Sequence, residues 1–373
     1  MTFLLRRGWA ELRNEVLVLP SRCVALAWAI AVLLLPVLWP DPYVLRVAAM
    51  TCLFATLAAS WDLLAGFAGQ MSFGHALFFG AGAYASALAS LHLGLSPWIT
   101  IWIGAAVATA VGVASGFLCL RLRGAYLSLA TLAFPLIALG ILFAFPDVSG
   151  GELGISGLRP LARSRTASYY VTAVATLVLV FGTWLFADSR HGLLLHAIRD
   201  DEVAARASGI DTVRTKLAVF GISAFTAGLA GGLYAHFMRV AGPSTLETTL
   251  SFQVVIWGIF GGLATIYGPV AAVCVLYPLT EWLGTYEAFS QLRLLVFAVV
   301  VLVVLLFMPR GLTPWIRDRL ETKCPRCKQR NVAWRSGCRL CGAELHATSA
   351  PRAASAAEPA RAAERPEPGY SPR

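Results

Sequence analysis

Residues 98–120 read WITIWIGAAVATAVGVASGFLCL, without one acidic or basic side chain. A membrane span needs about 20 mainly apolar residues, so this stretch is read as a span. Similar stretches lie near 24–39, 44–64, 73–93, 125–145, 169–187, 216–238, 252–266, 268–284 and 292–308. This predicts an all-α, polytopic transmembrane bundle of ten spans, within bounds of eight to eleven, because 252–284 reads either as two spans or as a broken hairpin. No run of about ten residues alternates apolar and polar as in an outer-membrane barrel. Composition agrees. Apolar residues make up 58% of the 373, charged residues 13%, and there are 33 glycines. A soluble domain, with about 25% charged residues, could not hide that much apolar surface. A cytosolic enzyme, a disulfide-stapled secreted domain and a disordered chain are thereby excluded.

Charge sets the orientation. Placing both termini in the cytoplasm puts Arg121, Arg123, Arg190, Arg199, Arg206 and Arg214 inside, as the positive-inside rule requires. The first span follows Arg6, Arg7, Arg13 and Arg22 without a small-residue cleavage site, so it is not read as a signal peptide. From Arg310 onward there are 13 basic and 6 acidic residues, which carries +7 of the net +10. The basic character belongs to a tail beside anionic lipid, and no nucleic-acid partner is expected.

Two apolar stretches are rich in glycine. One is Gly66-Phe67-Ala68-Gly69-Gln70-Met71-Ser72-Phe73-Gly74-His75, and the other runs from Gly258 to Gly268-Pro269. Non-helical backbone at membrane depth is tolerated only where protein buries it or water reaches it, and broken segments often mark a translocation path. Gly69, Gln70, Ser72 and His75 are the candidate path residues, against a reading as close helix packing. Asp62, His75, His236 and Glu281 are ionisable and lie in or near spans; each taken alone reads as an interfacial residue whose polar end reaches water.

Between two spans, residues 188–215 carry Leu194, Ala197, Ile198 and Ala205 at helical offsets, with a stop at Gly209. The loop reads as a helix that fills a partner's groove or lies flat on the membrane. No G-x-x-x-x-G-K-[ST] loop occurs, so this chain has no such cradle for ATP phosphates.

Several passages together resemble the LivM-type permeases of the branched-chain amino-acid ABC transporters, over roughly residues 45–310. They are Gly69-Gln70-Met71-Ser72-Phe73-Gly74-His75-Ala76 with Gly82-Ala83-Tyr84; Arg123-Gly124-Ala125-Tyr126 through Thr131-Leu132-Ala133-Phe134; Ala197-Ile198-Arg199-Asp200-Asp201-Glu202 with Ala204-Ala205 and Gly209-Ile210; Gly150-Gly151 with Gly154-Ile155; and Ala227-Gly228-Leu229-Ala230-Gly231. The resemblance implies a multi-pass bacterial inner-membrane subunit. It would pair with a second permease, two cytoplasmic ATPases that hydrolyse the ATP, and a periplasmic substrate-binding protein. It makes 188–215 the ATPase-coupling loop, with Ile198, Arg199, Asp201, Glu202, Ala204, Ala205 and Gly209 as its residues. Permeases for urea or other small amides and amino acids look alike and stay open as alternatives. An ion-coupled secondary transporter, with Asp62 or Glu281 as coupling carboxylate, is the alternative of another class. A membrane scaffold whose tail is the active part is a third.

The tail departs from the family. Cys324-Pro325-Arg326-Cys327 and Cys338-Arg339-Leu340-Cys341 form two C-x-x-C pairs. Four thiolates at that spacing suit a closed, structural zinc site, and a cytoplasmic location disfavours disulfides. The expected organisation is a cytoplasmic segment 1–23, a permease domain 24–309, a linker 310–322, a zinc-ribbon module 323–346 and a disordered end 347–373.

Overall fold

A computed structural model describes residues 20–120, 122, 124–285, 293–308, 311–328, 330–332, 335–338 and 341–345. The expected segment 1–23 lies outside these residues up to position 19, and Arg121, Arg123 and the expected disordered end 347–373 lie wholly outside them. The chain divides after Asp318 into two compact units.

The first unit is helical: α1 (Pro20–Leu38), α2 (Pro42–Asp62), α3 (His75–His92), α4 (Pro97–Cys119), α5 (Ala125–Ala144), α6 (Arg165–Ala187), α7 (Arg190–Asp200), α8 (Glu202–Ala207), α9 (Thr212–Met238), α10 (Thr248–Gly261), α11 (Tyr267–Gly284) and α12 (Arg293–Phe307), followed by α13 (Leu312–Leu320), whose last two residues fall past the division. Each predicted span coincides with one of these. Among the described residues, five helices are long and apolar enough to cross a membrane, namely α2 with its extension to Phe67, α4, α5, α6 and α9. The 252–284 stretch is two helices, α10 and α11, with a break between them. Residues 312–320, expected as linker, are helical.

The centre is built by α2 and α9. In α9 the small residues decide the packing. A Cβ on Gly228 would sit 2.4 Å from the Ala108 Cβ of α4, and one on Gly82 of α3 would sit 2.2 Å from the Gly228 carbonyl oxygen. Three helix backbones therefore meet at van der Waals distance, as small residues permit inside membranes. His236 of α9 closes the other end of this contact. Its Nδ1 donates to the Arg159 carbonyl at 2.8 Å, which leaves Nε2 as the acceptor, with the hydroxyls of Ser86 (3.0 Å) and Thr100 (2.9 Å) within reach of its one lone pair. The helices α5 and α6 are peripheral, with large apolar side chains such as Leu136, Ile137, Val178 and Phe181 exposed.

The second unit carries a two-stranded antiparallel ribbon, β3 (Glu321–Lys323) with β4 (Arg330–Val332), pairing Thr322 with Asn331. A shorter pair, β1 (Ile155–Ser156) with β2 (Val240–Ala241), ties two loops of the first unit.

Candidate functional site

Helix α2 does not end cleanly. Asp62 is followed by one π-helical turn, Leu63–Phe67, and then by irregular backbone to Gly74. Side chains from α5 and from the end of α2 itself satisfy this backbone. Thr131 Oγ1 accepts from the Phe73 amide at 3.0 Å, Ser128 donates to the Met71 carbonyl at 2.8 Å, and the Trp61 indole N–H donates to the Ser72 carbonyl at 2.7 Å. Ser251 of α10 accepts from the Ala76 amide at 3.0 Å. This is how non-helical backbone survives at membrane depth.

The second break, Gly262–Ile266, holds Gly262, Ala264 and Ile266 at positive φ. Asp62 holds it from 202 residues away. The Asp62 carboxylate accepts the backbone N–H groups of Ala264 (2.8 Å), Thr265 (3.0 Å) and Ile266 (2.8 Å). Asp62 is fully buried, as are His75 and His236. The expectation that these three reach water at the interface is corrected: each is a buried tie between elements. Burial of an unshared charge is prohibitive, and here three N–H dipoles supply the compensation. For His75, Ser223 spends its own proton on the Ser60 carbonyl at 2.7 Å, so the His75 Nε2–H donates to Ser223 Oγ at 2.9 Å. Glu281, by contrast, is half-buried near the end of α11.

The loop 188–215 lies against the first break. Ser189 opens α7 by accepting the His191 amide at 3.2 Å. Asp201 opens α8, its carboxylate accepting from Val203 (2.8 Å) and Ala204 (3.0 Å). The close of α8 is a Schellman motif: Ile210 N–H to Ala205 carbonyl at 3.1 Å, Gly209 N–H to Arg206 carbonyl at 3.0 Å, with Gly209 at φ +85°. Glu202 ties α8 to α9 through Lys216 at 2.9 Å.

Two contacts join loop to break. The Arg199 guanidinium donates to the Gly66 carbonyl, and the His196 ring lies 5.0 Å from the Phe67 ring. Partial burial, then the neighbouring Arg199 charge, hold the His196 imidazole below its ordinary pKa. Gly66 must be glycine, since a Cβ there would sit 2.0 Å from Asp62 Oδ1 and 2.5 Å from the Ala264 nitrogen. Loop, first break and second break are thus one continuous arrangement: Arg199, Gly66, Asp62, then Ala264–Ile266.

The predicted loop residues separate into two faces. Ile198 and Ala205 are buried, at 4% and 5% exposure. The expectation that they belong to a free face is corrected, because they seat the loop on its own chain. Arg199, Asp201, Ala204 and Gly209 are exposed and Glu202 is half-buried. The apolar surface left open is Leu193, Ala197, Val203 and Ala204. Sequence periodicity found the helix but not which side faced inward, since both sides carry Leu, Ala and Val. Of the candidate path residues, Gly69 is exposed beneath Arg199, Gln70 is buried with its Oε1 unpartnered, and Ser72 and His75 are buried within the hydrogen bonds above.

In the second unit the four cysteines converge. Sγ of Cys324 lies 3.5 Å from that of Cys341, and Sγ of Cys327 lies 3.5 Å from that of Cys338. All four fall within 4.8 Å of one another. A tetrahedron with Zn–S about 2.3 Å needs S···S of about 3.8 Å, so the set fits a four-thiolate metal site, and no pair is at disulfide length. Each knuckle closes alike: Lys328 N–H to Cys324 carbonyl at 3.0 Å, Gly342 N–H to Cys338 carbonyl at 3.1 Å, with Lys328 and Gly342 at positive φ. The backbone N–H of Cys327 lowers the Cys324 thiol pKa, which favours the thiolate a metal requires. Four protein ligands leave no open position, so the chemistry such a metal supplies is structural.

A bundle of apolar helices broken at two glycine-rich points, with a capped two-helix loop seated on one of them, has the build of a polytopic membrane protein. The family described as the branched-chain amino acid transport system / permease component matches residues 43–306, and the chain belongs to it. It is 29% identical to the high-affinity branched-chain amino acid transport system permease protein LivM of Escherichia coli K12, over 79% of this chain and 76% of that protein. It is 28% identical to LivM of Salmonella typhimurium, over 80% and 77%. A probable branched-chain amino acid transport permease protein LivH of Methanocaldococcus jannaschii matches at 26% over 50% of this chain. No solved structure gives a significant match. As an inner-membrane permease component, the chain is a part of a transporter.

Proposed function

We propose that this chain is one of two permeases in an ATP-driven importer of branched-chain amino acids. In this reading two cytoplasmic ATPases dock on the loop 188–215 and a periplasmic binding protein delivers the substrate. The substrate class is taken from the named relatives. The carrying observation is the Arg199–Gly66 bond, continued by Asp62 to the turn 264–266. It joins an exposed loop to both breaks in the membrane helices, so displacement of one is displacement of the other. Gly69 and Gln70, at the loop's edge, are the path residues this reading keeps in play, while Ser72 and His75 hold the shape of the break. Asp62 has both oxygens engaged by backbone, which argues against its serving as an ion-coupling carboxylate. The permease domain is proposed to end at about residue 309, and the cysteine module to fold around one zinc ion as an appendage.

The test is Ala204→Arg. Ala204 is exposed on α8, so the large cation should leave insertion and loop structure intact while obstructing the ATPase. Copurification of ATPase subunits with the membrane-inserted variant should fall about tenfold, the equivalent of about 1.4 kcal/mol. Unchanged copurification and transport would remove the docking assignment. Ala205→Arg is no substitute, because Ala205 is buried against its own chain.

A further inference from the structure

At the end of the bundle opposite Asp62, three helices surround a cavity of about 210 Å³. Helix α2 contributes Arg46, Met50 and Phe54, helix α9 contributes Tyr234, and α11 contributes Tyr277 and Glu281. The spacings are four and eight residues, so each helix turns one face to the same space. The floor is aromatic: Phe54 and Tyr277 rings meet edge-on at 5.0 Å, and the Phe79 ring of α3 lies 6.2 Å from that of Phe54 and 5.3 Å from that of Tyr234. The mouth is charged. Arg46 lies one turn inside the start of α2 and Glu281 one turn before the end of α11. Neither side chain forms an ion pair among the described residues. Arg46 instead lies over the Tyr43 ring at 5.5 Å, while Tyr43 hydroxyl donates to the Glu281 backbone carbonyl at 3.2 Å.

One cation and one anion, unspent on each other, above an apolar floor match a small solute that carries both charges and an apolar body. We propose that this cavity is a binding subsite for an aliphatic α-amino acid. The carboxylate faces Arg46, the ammonium faces Glu281, and the side chain lies on Met50, Phe54 and Tyr277. Arg46 suits the carboxylate because its planar fork matches two oxygens. The location fits delivery from outside: the positive-inside orientation puts this end of α2, α9 and α11 on the side facing a periplasmic carrier. The inference rests on the substrate class proposed above, and adds the residues that recognise it.

The experiment uses the purified complete importer in detergent without its binding protein, and saturation-transfer NMR on L-leucine, which reads weak binding directly. Wild-type protein should saturate the leucine methyl groups. Arg46→Gln and Glu281→Gln should each weaken leucine about tenfold, and Arg46→Lys should recover part of the loss. Leucinamide, which lacks the carboxylate, should bind weakly and be indifferent to Arg46→Gln. 4-Methylpentanoate, which lacks the ammonium, should be indifferent to Glu281→Gln. A merely structural role for either residue would weaken all three probes together and overturn the proposal. So would leucine binding unchanged in both variants, the result expected if lipid headgroups occupy the charged mouth. ATP-driven leucine uptake by wild-type vesicles supplied with the binding protein tests the substrate class separately.

Discussion

Two parts of this chain hold irregular backbone in place, and they do so by opposite means. At Ala264–Ile266 the backbone is held by one carboxylate, Asp62, which arrives from 202 residues away and is fully buried. In the tail the knuckles at Cys324–Lys328 and Cys338–Gly342 point four sulfurs at one centre, all drawn from 18 consecutive residues. The first device works because the bundle around it excludes water, so an acceptor with three donors is strongly held. In the second, the buried apolar cluster among the described residues is only Cys324, Cys338 and Leu345. A segment that small rarely folds on apolar burial alone, so a metal held by the four cysteines would bind and fold it in one event.

The contrast can be broken experimentally, and the tail gives the largest effect. Structural zinc supplies apparent binding free energy of about 10–16 kcal/mol at pH 7. The full chain, reduced, should bind one zinc per molecule, and Cys338→Ser should lower the affinity by more than about tenfold. Zinc content measured after dialysis against a graded chelator checks this. An absence of stoichiometric zinc in the wild type would remove the metal and with it one side of the comparison. Because the match to permeases ends at residue 306, removal of residues 320–373 should leave uptake largely intact; its loss would make the tail part of the transport machinery.

Asp62→Ala comes next. It strands the N–H groups of Thr265 and Ile266, both buried, and of Ala264, part-buried; at about 1–3 kcal/mol for each buried group, the detergent-solubilised chain should lose more than about 2 kcal/mol of stability. Asp62→Asn should lose less, since an amide keeps one acceptor oxygen for one or two of the three donors. Wild-type stability in Asp62→Asn would mean that bulk, not hydrogen bonding, is what Asp62 supplies.

The smallest effect belongs to Gly209→Ala. A non-glycine residue at φ +85° costs about 1–2 kcal/mol, confined to the end of α8. Hydrogen exchange of the amides at positions 209 and 210 should rise, with no change at Ala264–Ile266.

How far the sequence went follows the same division. The spans were legible because long apolar runs admit few alternatives, and the cysteine set because its ligands are near neighbours in sequence. The Gly209 stop was legible because a helix's Schellman end is local. What Asp62 does was not legible, since nothing in Trp61-Asp62 points to Ala264. Likewise the burial of Ile198 and Ala205 against their own chain was not legible, because periodicity defines a face and not which neighbour it meets. The signal that existed was the pair of glycine-rich stretches: Gly66 is required where Asp62 and the Ala264 nitrogen converge on it, and Gly258 where an added Cβ would sit 2.1 Å from the Trp61 ring.

The central claim is that the loop acts on the broken helices through Arg199. The direct test is the ATP hydrolysed per substrate molecule imported, measured together in proteoliposomes holding the complete importer and its binding protein. In Arg199→Ala, which removes the bond to the Gly66 carbonyl, the account predicts that this ratio rises about fivefold or more, equivalent to about 1 kcal/mol of lost coupling. An Arg199→Ala importer that spends the same ATP per substrate as the wild type would contradict it.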